Sequence, residues 1–189
     1  KIQMRNRLRE FLIASLRHSR SEMEIHMNTT DNLEQFLPIL RTASIFSGMS
    51  DSEILSVLHC MGAFVSDKEK DSYLLRAGDM TSTMGLLLSG SAIVIQEDVW
   101  GHRNIMAQIL PGQTFAEPFA ASNGTALNIS VVVTKDCSLL YLDIHRILGV
   151  CPSACEHHTH LIQNLISVLA KKLLLFNEKI THMSKRTTK

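Results

Sequence analysis

The sequence has 189 residues and a mass of 21.2 kDa, enough for one domain with a sizeable core plus an appendage but short for two full domains. Apolar residues make up 45% and charged residues 20%, a composition typical of a soluble globular protein and not of a disordered or fibrous one. No apolar run approaches the roughly 20 residues of a membrane-spanning helix, and no secretion signal is evident, so we expect no membrane partner. Four cysteines (Cys60, Cys137, Cys151 and Cys155) are too few for a disulfide framework, which favours a location in the reducing cytoplasm.

The formal net charge of +1 is unevenly distributed along the chain. Residues 27–178 carry nine Lys and Arg against fifteen Asp and Glu, whereas residues 1–26 carry six against three, and residues 179–189 carry four basic residues and no acidic one. An acidic body repels the phosphates of nucleic acid. We therefore expect any DNA contact to come from the basic ends or from a domain outside this chain.

Residues 1–26 form a basic N-terminal extension in which residues 4–16 have an amphipathic helical pattern. The pattern is compatible with a membrane-surface or targeting helix, but the favoured interpretation is a packing arm or added sequence ahead of a natural start at Met27. Two short helices are predicted next, near 31–37 and 51–60, because Asp31-x-x-Glu34 and Ser50-x-x-Glu53 both have the form of a capping box. Pro38 is expected to end the first of them.

From residue 72 the pattern changes to short strands separated by turns. Turn residues recur every eleven or twelve positions, at Gly78, Gly90, Gly101, Gly112, Gly124 and Asp136. The β-rich segments between them are 73–75, 86–88, 92–95, 105–110, 129–133 and 138–142. This spacing predicts an antiparallel jelly roll and leaves no room for the crossover helices of a parallel sheet.

A long helix is predicted after Ser153-x-x-Glu156, a third capping box. Its apolar residues follow alternating spacings of four and three, at Ile162, Ile166, Leu169, Leu173, Phe176 and Ile180. Such a heptad seam predicts a parallel coiled coil with the same helix of a second copy. A second apolar face on the first half of the helix predicts packing on the roll. The alternative is one helix that packs only on its own roll.

Three stretches, taken in chain order, carry a family resemblance over residues 28–189. They are the short-helix region from Ile45 to Ala63, the glycine-spaced strands from Leu88 to the turn Gly112–Glu117, and the long helix that runs into Ser184–Lys189. In this order they resemble the sensor half of the Crp/Fnr family of bacterial transcription regulators. The resemblance implies a cyclic-nucleotide-binding-like jelly roll and a C-terminal dimerisation helix. It also implies that the family's helix-turn-helix domain, absent from this chain, would begin after Lys189.

In cyclic-nucleotide-binding relatives, a Glu after this turn binds the ribose hydroxyl and an Arg-Ser pair binds the cyclic phosphate. Glu117 matches the Glu, but the Arg-Ser positions fall at Asn128 and Ile129, followed by Ser130. Asn128 donates hydrogen bonds but does not neutralise a phosphate, so we expect an effector other than cyclic AMP. The alternatives are a less anionic ligand, or a pocket in which Glu117 forms a local salt bridge and aromatic residues close the space. The candidate effector-pocket residues are Gly112, Phe115, Glu117, Phe119, Asn128, Ile129 and Ser130.

The run from Cys151 to His160 is the densest group of potential metal ligands. Cys155 would lie in the first turn of the long helix, where the helix dipole lowers the pKa of a thiol, so a dithiol or metal switch at Cys151 and Cys155 is one reading. The spacing is not that of a zinc site, and the favoured alternative is a hinge with solvated histidines. His102 is a weak candidate haem ligand, and Cys60 stands too late for an Fnr-like iron–sulfur cluster.

The domain boundaries we predict are an extension over 1–26, a sensor roll over 27–150 and a dimerisation helix over 151–189. No nucleophile elbow, phosphate-binding loop or set of metal-binding histidines on strands points to an enzyme. No motif requires a cofactor, and the effector is unknown. The predicted function is the sensor and dimerisation part of a Crp/Fnr-like regulator that reaches DNA only through another domain. The alternative is a small-molecule, metal or redox-binding module of the same fold that does not bind DNA.

Overall fold

The computed structural model describes residues 33–98, 100–122, 125–149 and 156–187. The chain begins there with short helical segments: a 3-10 turn over Glu34–Phe36, α1 over Leu37–Leu40, a second 3-10 turn over Ser44–Phe46, and α2 over Asp51–Cys60. Ser50 and Glu53 form the predicted capping box at the start of α2. Pro38 lies in the first turn of α1 and does not end a helix, because its missing N–H falls among donors that have no helical partner there. Residues 1–32, including the predicted helix over 4–16 and Asp31, lie outside the described residues.

Within the described residues eight strands follow, and every pairing between them is antiparallel. They are β1 Phe64–Lys68, β2 Tyr73–Leu75, β3 Thr83–Leu87, β4 Ser91–Glu97, β5 Arg103–Ile109, β6 Thr114–Phe115, β7 Ser130–Lys135 and β8 Cys137–Asp143. Two four-stranded sheets result, with the orders β1-β8-β3-β6 and β2-β7-β4-β5. The predicted jelly roll is therefore confirmed.

Strands β1 and β6 were not anticipated from the sequence. β1 reads Phe-Val-Ser-Asp-Lys and pairs along its whole length with β8 at the edge of the first sheet. The polar residues of β1 leave no apolar pattern in the sequence, because an edge strand buries less of its surface. β6 spans two residues and pairs with β3, too short to leave a periodic signal.

The two central strands of the first sheet, β3 and β8, pack against apolar layers on both faces, which explains their nearly continuous apolar sequences. On β3, Met84 and Leu86 face a helical layer while Leu87 faces the inside of the roll. On β8, Leu140 and Leu142 face the helices while Leu139 faces inward. Two apolar cores follow, one between the two sheets and one between the first sheet and the helices.

Three further helices complete the described chain: α3 over Glu117–Ala121, α4 over Ile144–Leu148 and α5 over Glu156–Thr187. The predicted long helix is confirmed at 32 residues. Its first half packs Leu161 and Leu165 into the helical core together with α2 and α4. In the described part of the chain, no helix is long and apolar enough to cross a membrane.

Gly90 shows why one of the predicted turn glycines is needed. It has a φ of +80°, and a β-carbon there would overlap the backbone oxygen of Asp136. Gly78, Gly101 and Gly112 share the left-handed conformation, so the regular spacing read from the sequence corresponds to actual turns.

Candidate functional site

The turn from Gly112 to Glu117 places an aromatic ring on one side and a carboxylate on the other. Phe115 points into the roll interior opposite Gly85, where a β-carbon would overlap its ring. Ala116 then adopts a left-handed conformation with a φ of 68°, which is unusual for a residue with a side chain. Glu117 follows as the first residue of α3, and its side chain is only 1% exposed.

The carboxylate of Glu117 forms an ion pair with Lys172, which reaches it from α5. The Nζ of Lys172 lies 2.7 Å from Oε1 of Glu117 and donates a second hydrogen bond of 2.6 Å to the backbone oxygen of Thr114. The Lys172 side chain is 44% exposed, whereas Glu117 is buried. The turn and the long helix are thus joined by one ammonium group with two oxygen partners.

One interpretation of the sequence was that Glu117 forms a local salt bridge. The salt bridge is present, but its partner is not local. The partner lies 55 positions away, on the predicted dimerisation helix. Of the two aromatic residues expected to close the pocket, Phe115 is buried and Phe119 is half-buried.

The second predicted half of the site is the segment that leads into β7. Asn128 is exposed, while Ile129 and Ser130 are half-buried. Ser130 Oγ accepts a 2.9 Å hydrogen bond from the backbone N–H of Ala77, so this hydroxyl already joins two chain segments. The side chains at the two positions that match the Arg-Ser pair, an amide and an aliphatic group, carry no charge.

Comparisons with known proteins agree with this architecture. Residues 67–153 match the family model of the cyclic nucleotide-binding domain. The fold is that of a cyclic nucleotide-binding domain. A cyclic nucleotide-binding domain from Methylobacillus flagellatus KT aligns at 17% identity with a TM-score of 0.68, over 82% of this chain and 85% of that one. No curated protein matches the chain.

A catabolite activator protein and a domain of a transcriptional regulator are also structurally similar. The catabolite activator protein of Thermus thermophilus aligns at 20% identity with a TM-score of 0.64, over 75% of this chain and 63% of that one, which is less than two thirds of its length. The N-terminal domain of a transcriptional regulator from Streptomyces coelicolor A3(2) aligns at 14% identity with a TM-score of 0.58, over 74% of this chain and 95% of that one. At these identities the likeness is one of fold.

The six seam residues of α5 divide into two groups. Ile162 and Leu169 are half-buried against the helical core, whereas Ile166, Leu173 and Phe176 are exposed. The side chain of Ile180 is outside the described set. Leu174 and Leu175 are exposed as well, so residues 173–178, which follow Lys172, are all exposed in the single chain.

The histidines at the start of α5 are not the solvated group that the sequence suggested. The ring of His158 is buried and Nε2 contacts the backbone oxygen of Ile147 in α4, while Nδ1 of His157 lies 3.1 Å from Glu53 in α2. The two rings point to different elements, as expected for neighbours about 100° apart on a helix. Cys151 and Cys155 lie outside the described residues. Within the described ranges, no three His, Cys, Asp or Glu side chains are arranged to hold a metal ion.

His102, the candidate haem ligand, lies beside the tip of the β4–β5 hairpin. Nδ1 is 3.0 Å from Oδ2 of Asp98, and the side chain is 76% exposed. The backbone N–H groups of His102 and Trp100 also donate to Asp98, and these bonds together hold the pKa of that carboxyl below its ordinary value. His102 therefore helps to shape a surface turn.

Sequence reasoning missed Lys172. The residue lies between seam positions on a helix rich in lysine and leucine, where a lysine is usually a solvated side chain. A signal was present in Glu117, because a carboxylate in an apolar turn needs a cation or several donors when it is buried.

Proposed function

We propose that this chain is the sensor and dimerisation part of a Crp/Fnr-type transcription regulator, without catalytic activity, working in the cytoplasm on a small-molecule signal. The cyclic nucleotide-binding fold and its similarity to two transcription regulators support a regulatory role. DNA would be read by a domain outside these residues, because the body of this chain is acidic.

The observation that carries the proposal is the exposed apolar seam of α5. Beyond Lys172 the helix leaves the body with Leu173, Leu174, Leu175 and Phe176 all more than half exposed. A contiguous apolar patch of this kind marks an interaction surface. Among these residues, Leu173 and Phe176 continue the heptad seam of α5. That spacing fits a parallel pairing with a second copy, which would set the separation of two DNA-reading domains.

The effector that we propose is not cyclic AMP. Glu117, which would bind the ribose in relatives, is engaged by Lys172, and the position of the phosphate-binding arginine is taken by the exposed, neutral Asn128. The ring of Phe115 fills the roll beside Gly85. The side chains present do not fit a cyclic phosphate.

Dimerisation is tested by Leu173→Glu, with Leu175→Glu as its matched control. The two leucines are 60% and 59% exposed, but Leu173 lies in the seam and Leu175 lies on the opposite side of the helix. We expect Leu173→Glu to sediment as a monomer and Leu175→Glu to sediment as the wild-type dimer. Equal sedimentation of the two variants, both dimeric or both monomeric, would contradict a seam at these positions.

The effector assignment is tested by thermal unfolding with added cyclic AMP. A ligand at 100 times its dissociation constant stabilises a protein by about 2.7 kcal/mol, which raises the melting temperature by several degrees. We expect no saturable rise with cyclic AMP up to millimolar concentrations. A saturable rise that Asn128→Ala reduces would overturn the assignment.

A further inference from the structure

The oxygens that surround the ammonium group of Lys172 have the composition of a cation-binding site. The carboxylate of Glu117 and the carbonyl of Thr114 lie 2.7 Å and 2.6 Å from the same nitrogen, and both belong to buried residues of one turn. An ammonium group has three donors, and two are used here. One donor remains, and 44% of the Lys172 side chain is exposed, so the site opens toward solvent on the side from which Lys172 enters it.

The burial of the two charges is unequal, and this asymmetry separates the contact from an ordinary surface salt bridge. An exposed pair costs little to break, because water solvates both groups. Here the carboxylate is 1% exposed and would be left unsolvated if Lys172 withdrew. Removing one partner of a buried pair is costly for the group that stays behind. Anything that displaces Lys172 therefore has to supply a cation or several hydrogen-bond donors of its own, and an alkylammonium group supplies both.

We propose that Glu117 and Thr114 form a recognition site for an alkylammonium group, that Lys172 is its internal occupant, and that an effector carrying such a group releases α5 from the turn. The term effector rests on the proposed function, whereas the site itself does not. Lys172 is bonded to the turn immediately before the helix enters its exposed segment. Exchange of the occupant would thus change how firmly α5 is held, without any change in the seam.

The test is chemical rescue of Lys172→Ala in the 189-residue chain. This substitution removes three carbons and the nitrogen, which propylammonium replaces atom for atom. We expect Lys172→Ala to lower the melting temperature more than Glu117→Gln does, because only the first leaves a buried carboxylate without a cation. Lys171→Ala, one position earlier on the exposed surface, is the matched control and should leave the melting temperature nearly unchanged.

Propylammonium chloride should then raise the melting temperature of Lys172→Ala in a saturable way. Potassium chloride at equal ionic strength and 1-propanol at equal concentration should not, since one lacks the alkyl group and the other lacks the charge. The double variant Glu117→Gln/Lys172→Ala should not respond. Should Lys172→Ala not fold alone, propylammonium must recover its refolding while propanol must not. The proposed site would be contradicted by any of three results: rescue by either control compound, rescue of the double variant, or no rescue of Lys172→Ala by propylammonium.

Hydrogen exchange provides a readout of the released helix. A charge-assisted hydrogen bond contributes about tenfold or more to an equilibrium constant, so amides of α5 near residue 172 should exchange about tenfold faster in Lys172→Ala, while those of α2 should not. Propylammonium is not attached to α5, so it should restore the melting temperature while the amides of α5 stay fast-exchanging. Amides of α5 that exchange no faster in Lys172→Ala than in the wild type, or whose protection propylammonium restores, would contradict the release. Sedimentation of Leu173→Glu tests the proposed function independently, so the two proposals fail separately.

Discussion

The two halves of α5 have similar side chains and opposite environments. Up to Lys172 the helix buries Leu161, Leu165 and Val168, and polar bonds to several neighbouring elements hold it in place. After Lys172 its leucines face solvent. Helix periodicity predicts both halves equally well. The difference shows that an apolar stripe predicts a helix but does not establish what its apolar face contacts.

The first half combines apolar burial with directed polar contacts. Asn164 donates from Nδ2 to the backbone oxygens of both Ile45 and Ser47, at 3.1 Å and 2.9 Å, and so aligns the helix with the second 3-10 turn. His157 and His158 fix its beginning against α2 and α4. A helix held at so many points is part of the domain, whereas the leucines beyond Lys172 are exposed in the single chain.

Among the substitutions that test this difference between the two halves of α5, Leu161→Ala is expected to have the largest effect on the free energy of unfolding. Leu161 is 0% exposed, and truncating a fully buried leucine costs about 2 to 5 kcal/mol through lost burial and the cavity left behind. Leu174→Ala is the counterpart in the second half and should change the unfolding free energy of the monomer by less than about 0.5 kcal/mol.

Urea unfolding in a Leu173→Glu background checks this pair of values, because that background should prevent the proposed pairing of two helices. A large loss for Leu174→Ala there would show that the second half is also held by its own domain. A small loss for Leu161→Ala would show that the first half is not.

A smaller effect is expected from acid, and it should be confined to the first half. The backbone N–H and hydroxyl of Ser50 donate to Glu53, which also faces His157, and the Ser50 bonds are the main reason that the pKa of Glu53 lies below its usual 4.5. A lowered pKa in the folded state means that this stabilisation is fully present above pH 4.5 and is lost as the pH falls through the folded-state value.

Melting temperatures of the wild type and Glu53→Gln, measured from pH 7 to pH 2.5, check this expectation. The wild type should be slightly more stable at pH 7, and the difference should shrink below pH 4.5. Glu178→Gln, in the exposed second half, is the control and should leave the melting temperature at pH 7 nearly unchanged. Parallel curves for wild type and Glu53→Gln would contradict the role of this carboxylate.

Most of the fold could be predicted from the sequence because its signals are local. Turn glycines such as Gly90 need a left-handed backbone, and apolar runs between them form strands. The edge strand β1 was not predicted, because its polar residues, Ser66, Asp67 and Lys68, break the apolar pattern. Pro38 was misjudged because proline is compatible with either side of a helix boundary, and only the tertiary structure decides which.

The site was less predictable, because its decisive contact joins residues far apart in sequence. The position of Glu117 in a turn could be read locally, but its partner Lys172 depends on how α5 lies across the roll. Phe115 was expected to close the pocket, and the reason its ring fits is the missing side chain at Gly85 on a different strand. Three-dimensional neighbours of this kind leave no periodic trace.

The bonds from Lys172 to the turn lie where α5 passes from its packed half to its exposed half, so a tilt of the helix at this point would move the whole exposed half. Residues 173–187 continue as helix beyond Lys172 and rise about 22 Å at roughly 1.5 Å per residue. A tilt of about 10° at this point would displace the far end by about 4 Å, a distance comparable to the rise of one helical turn. A shift of a few tenths of an ångström beside Glu117 that tilts α5 would therefore become a larger displacement at the far end of the helix.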